Sequence, residues 1–395
     1  MAPDLRPEPG ERIEPVQPIP SNGRLLTVAS AFKFAGALAG CGLLAIGLLN
    51  YRRDHRFAAY ASGLRSSSSS AHKTVGHAED FYLKGRYYWN KRTPEDLNKA
   101  LDYFMQVQDP NYAKAYVGLA DCYNLMREYA LLPSDEAYAR SLAAAKKAVE
   151  LDDQSSEAHA SLAFVSFFGM WDLATGEREF PRAIDLNPNN PAPHQWYANA
   201  LFALHRFPEA LAEMDRAQAL DPVSTSILAD KGNILFRAGQ SEEALAVLKQ
   251  MEIREPAFRS PHGYLKEVYL DNRDYPNYVS EMRQEALLVH DDSQLAMEAA
   301  AEKGFAAGGA RGLFEAMLLT QKKLYTQHSL RPTELARTSA VLGHKDEALR
   351  YLKDACEQRD GEILFVETFS EFSSLHKEPA YRDLLARMNL PVQDP

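Results

Sequence analysis

Runs of Val, Ile and Thr that could alternate as strands are scarce after Ala78, where Ala, Leu, Glu, Lys and Arg crowd the chain. That scarcity excludes a sheet-based fold and predicts an all-α one. Clustered basic residues are also missing. With a formal net charge of −10, the chain offers no general phosphate-neutralising surface, and no nucleic-acid partner is expected. Cysteine is sparse: the three residues, Cys41, Cys122 and Cys356, lie too far apart in sequence for a disulfide framework or a zinc-finger spacing. No GxSxG, HExxH, CxxC or phosphate-cradling GxxxxGK motif occurs, so no enzyme activity and no cofactor is expected.

What is present begins with one long apolar run, Leu25 to Leu49, whose only charge is Lys33. A helix from Val28 to Leu49 would extend about 33 Å, enough to cross a hydrocarbon core of roughly 30 Å, and Lys33 lies near its N-terminal end where its stem reaches the headgroups. A single-pass transmembrane helix over 25–49 is therefore expected. Leu38-Ala39-Gly40-Cys41 is a lipidation-box alternative, disfavoured by the acidic start (Asp4, Glu8, Glu11, Glu14) and by the apolar run continuing past Cys41. Gly36 and Gly40 form a GxxxG spacing that would let two such helices approach as a homodimer. Arginines lie on both sides of the run, so the side of the membrane that holds the rest of the chain stays open. Residues 1–24, rich in proline and acid, read as a disordered tail, and 50–77, with Ser66 to Ser70 consecutive, as a flexible linker.

Beyond the linker, a 34-residue self-similarity dominates. Ala198, Ala210, Ala217 and Pro222 recur as Gly232, Ala244, Met251 and Pro256, small residues, Met251 alone excepted, where two helices cross and a proline where the second ends. Working outward gives about seven units over 78–376, some degenerate, and a capping helix and tail over 377–395. The frame dissolves after Leu287 and returns near Leu335.

That period resembles tetratricopeptide-repeat (TPR) proteins, which implies helix pairs stacked into a right-handed α-solenoid. The phrases FYLKGRYYWNKRTPEDLNKALDYF, AYVGLADCY and AIDLNPNNPAPHQWYANAL resemble, more narrowly, the sensory half of bacterial membrane-anchored winged-helix transcriptional regulators. Only Met1 to Arg24 precede the apolar run, so the DNA-binding domain of such regulators is not expected. The resemblance implies a location in the bacterial cytoplasmic membrane and either a scaffold or sensor role or that of a regulatory subunit acting through dimerisation.

In a TPR solenoid the groove is lined by positions five, nine, twelve and thirteen of each first helix. The candidate peptide-groove residues are Phe164, Phe168, Gln195, Asn199, Phe202, Asn233, Phe236 and Arg237. Asn199 and Asn233 could bond the backbone of an extended peptide, and Arg237 a carboxylate. Gln195 and Asp230 depart from the lysine and asparagine set of chaperone-tail clamps, so the expected ligand is another protein or peptide. His159, His194 and His262 share the fourth position of successive first helices; that recurrence reads as packing, not metal ligation. His205 sits at a turn usually held by glycine, and the acid pairs Asp152-Asp153, Glu242-Glu243 and Asp291-Asp292 read as helix-end residues.

Overall fold

A computed structural model describes residues 71–128 and 131–392. The expected membrane span over 25–49, its Gly36 and Gly40 face, the tail and most of the linker lie outside them. Among the described residues no helix is long and apolar enough to cross a membrane.

The described residues are helical and contain no strand. α1 (Ala71–Trp89) pairs with α2 (Pro94–Met105), α3 (Ala113–Glu128) with α4 (Ser134–Leu151), and α5 (Ser156–Phe164), extended by a π-helical turn Val165–Gly169, with α6 (Leu173–Leu186). α7 (Pro191–Ala203) and α8 (Phe207–Leu220), α9 (Thr225–Arg237) and α10 (Ser241–Arg254), then α11 (Arg259–Asp271) and α12 (Tyr275–Val289) continue the series. Each helix packs chiefly on its sequence neighbours, the pattern of a TPR-like array.

Local chemistry sets the boundaries. Thr93 accepts from the Asp96 amide ahead of Pro94, and Asn190 from the Ala192 amide ahead of Pro191, so an oxygen cap precedes a proline whose missing N–H costs the helix nothing. Between paired helices the chain turns through a left-handed residue at Trp171, His205, Gly239 and Arg273, with φ of 58°, 60°, 84° and 58°. Each stands 34 residues after the last, so His205 holds the backbone of the usual glycine. Small residues at the crossings are required: a Cβ on Gly232 would meet Leu248 Cδ2 at 2.6 Å.

Where the sequence frame dissolves, the structure supplies a further pair. α13 (Asp292–Thr326) breaks at Gly308 and Gly309, whose non-helical φ of −146° and 60° fold it back on itself. Gly304 and Gly312 meet at the crossing, where a Cβ on Gly304 would lie 2.3 Å from the Gly312 carbonyl oxygen. The period is lost to sequence reading because this pair crosses on glycine–glycine rather than on the usual consensus. α14 (Pro332–Val341) and α15 (Lys345–Glu357) follow, then two 3₁₀ turns, Ile363–Thr368 and Ser370–Leu375, and α16 (Pro379–Arg387).

Candidate functional site

The first helices present one continuous face, and the chain's own segment from Gly361 to Glu371 runs along it. At its start, the Arg127 guanidinium of α3 occupies the space a Cβ on Gly361 would need, 1.5 Å from that point. Phe365 then stacks on Phe168 of the π turn at 6.1 Å and lies 5.6 Å from the Phe202 ring of α7. Phe369 sits under the guanidiniums of Arg237 and Arg337, at 5.6 and 4.2 Å. Ser370 donates to Asp271 of α11 at 2.6 Å, and Glu371 accepts from Arg337 Nε at 2.8 Å. The strap thus meets α3, α5, α7, α9 and α11 in order. Neighbouring residues anchor it at both sides: Arg359 donates to the Gly169 carbonyl at 2.8 Å, and Asn389 to the Trp171 carbonyl at 3.2 Å.

Most of the predicted groove residues are engaged within the chain. Phe164 packs against Trp196 and Phe168, with ring centroids 5.3 and 4.8 Å apart. Phe202 and Phe236 are buried. Gln195 and Asn199 donate to one Asp230 oxygen at 2.8 and 2.9 Å, and Tyr264 to the other at 3.0 Å. Arg237 meets carboxylates as expected, but the chain's own: Glu267 and Asp271, each at 3.0 Å. Asn233 is half-buried. An open groove ready for an outside peptide is therefore not what this face presents; the strap fills its middle.

Asp230, named above only as a departure from the clamp set, and two residues that sequence reading passed over, Glu267 and Arg337, organise the face. Glu267 accepts from Arg237 and from Arg337, and Arg337 bridges on to Glu371. Burial pushes the Glu267 carboxyl up, and the Arg337 and Arg237 guanidiniums overcome this and hold it below its ordinary range. Glu285 behaves alike, desolvated yet held down to about 2 by Lys266 and Arg259. Glu334 is the opposite case: burial, reinforced by the Glu362 carboxylate, pushes it up to about 7. One signal could have exposed this network. Opposite or complementary groups recur one repeat apart, as in Arg86–Asp121, Gln195–Asp230 and Arg237–Asp271, separated by 35, 35 and 34 residues.

The histidines lie elsewhere, between helices. His159 Nδ1 bonds Glu179 at 2.6 Å, His194 Nδ1 bonds Glu213 at 2.6 Å and His262 Nδ1 bonds Glu281 at 2.8 Å. The Nε2 atoms of His159 and His194 face the Asp153 and Pro188 carbonyls at 2.9 and 3.2 Å. Each imidazole clamps the second helix of its own unit to the turn before its first.

No family model matches the chain. Over 143 residues, 36% of its length, it is 29% identical to the transcriptional regulator HilA of Salmonella typhimurium, and the match spans 26% of that regulator, about a quarter of it. Among solved structures, the human IFIT1 dimer with m7Gppp-AAAA aligns at a TM-score of 0.54 and 14% identity, over 77% of this chain and 72% of that one. TTC0263, a thermophilic TPR protein of Thermus thermophilus, aligns at 0.41 and 18% identity, over 48% of this chain and 99% of that one. At 14% identity the likeness to the IFIT1 structure is one of fold alone.

Proposed function

We propose that the chain is a membrane-anchored interaction scaffold or sensor whose first-helix face receives a protein segment of aromatic and acidic character. The observation that carries this reading is the strap: Phe365, Phe369, Ser370 and Glu371 are held by aromatic stacking and by arginine–carboxylate bonds, the chemistry by which TPR faces take extended segments. A partner segment with the same spacing of aromatics and acid competes for the same contacts. The apolar run from Leu25 to Leu49 supplies the single-pass anchor, and a helix pair through Gly36 and Gly40 would bring two arrays together.

The test uses a labelled peptide of residues 361–371 and fluorescence anisotropy. The wild-type chain, its face filled, binds weakly; a Phe365→Ala/Phe369→Ala variant, whose strap is loosened, binds at least about tenfold more tightly. A variant that keeps its helical circular dichroism yet ignores the peptide would sink the reading.

The likeness to a transcriptional regulator over 143 residues favours a second form of this proposal, in which the array reports its bound state to a separate regulatory protein. Cysteine crosslinking at Cys41 with and without the peptide distinguishes the two, since only the second form needs a ligand-dependent change in dimerisation.

A further inference from the structure

The three histidine clamps are not equivalent. Ten residues before each histidine, on the preceding second helix, stand Val149, Ile184 and Glu252. At that position two units carry an apolar residue and the third a second carboxylate. Around His262, the ligand atoms of His262, Glu281 and Glu252 all lie within 4.8 Å of one another.

We propose that Glu252, His262 and Glu281 form a binding site for one divalent transition-metal ion of the zinc class. The donor set, one imidazole nitrogen and two carboxylate oxygens from α10, α11 and α12, matches three protein ligands with a fourth position left for water. The imidazole is oriented for it. Its second nitrogen faces the Pro256 carbonyl, six residues back, as Nε2 does in the sister clamps, so Nδ1 faces Glu281 and the proton it shares with that carboxylate leaves when an ion takes its place. Ligand atoms about 2.1 Å from a tetrahedral ion stand about 3.4 Å apart. The 2.8 Å contact between His262 Nδ1 and Glu281 Oε2 opens slightly to reach this, and the wider separations close by rotation of Glu252.

Charge favours the ion as well. In the sister clamps one carboxylate faces one imidazole; here two do, and the nearby Lys249 ammonium reaches Glu252 only at 3.9 Å while lying 5.4 Å over the Tyr269 ring. His262 and Glu281 are buried and Glu252 is half-buried, so the outer carboxylate gives the ion a route in.

The full chain, stripped of metal with a chelator, is titrated with Zn²⁺ against a chromophoric competitor, and with Co²⁺ for the visible bands of a low-symmetry nitrogen and oxygen site. One equivalent binds the wild type. Glu252→Ile restores the residue type of a sister clamp and weakens binding by about tenfold or more, with thermal melting in chelator unchanged. Glu213→Gln breaks a sister clamp and leaves zinc affinity as it was. Wild-type affinity in Glu252→Ile, or no zinc bound by the wild type in the micromolar range, overturns the proposal.

Discussion

Replacing Arg337 by methionine removes the cation that joins the strap to the repeat face while keeping most of its aliphatic bulk. Arg337 donates to Glu371 from Nε at 2.8 Å and from Nη2 at 2.6 Å, and to Glu267 from Nη1 at 2.9 Å and again from Nη2. Its guanidinium also covers the Phe369 ring. Glu267 would keep Arg237, but the Glu371 carboxylate, only 4% exposed, would lose its cation. Stranding a buried charge costs about 3 to 5 kcal/mol, far above the median surface pair at about 0 to 1. If the strap opens locally, about 3 kcal/mol becomes a more than 100-fold loss of amide protection over residues 363–372. Native-state hydrogen exchange measures this, and adding Glu371→Gln recovers part of it because a neutral amide needs no counter-charge. Protection within about threefold of wild type in Arg337→Met, or no recovery in the double variant, would refute the reasoning.

Other perturbations follow from the same geometry. Gly304→Ala places a Cβ 2.3 Å from the Gly312 carbonyl oxygen and should cost about 1 to 3 kcal/mol in urea unfolding by prising apart the two halves of α13. Gly239→Ala meets no atom within 4 Å, yet its φ of 84° makes it cost about 1 kcal/mol through backbone strain alone; a melting temperature equal to wild type would remove that argument. Glu334, with its carboxyl pushed up to about 7 by burial and by Glu362, favours the folded state when protonated. Its contribution is therefore complete below its ordinary value and fades as pH rises through about 7, so Glu334→Gln should flatten the fall of melting temperature between pH 5 and 8. Glu285 has the opposite sign: held down to about 2, it stabilises above its ordinary value, and Glu285→Gln should lose the part of the acid sensitivity that develops as pH falls toward 2.

The sequence by itself determined the helical class and the repeat. Small residues at Ala198, Ala210, Gly232 and Ala244 and prolines at Pro222 and Pro256 act through neighbours within one helix pair, so their period survives in one dimension. The recurrent histidines and the left-handed turn at His205 were legible for the same reason, each being set within a single unit. Tertiary structure alone decided what fills the first-helix face. The strap's own bond from Ser370 to Asp271 joins residues 99 apart, and the bonds that flank it, Arg337 to Glu267, Arg359 to Gly169 and Asn389 to Trp171, join residues 70, 190 and 218 apart, and no periodicity carries such distances. Stacked repeats leave an apolar, charged inner face that single units cannot cover, and burying Phe168, Phe202 and Arg237 under the returning chain satisfies it; which segment returns depends on where the array ends, a property of the assembled molecule and not of any unit.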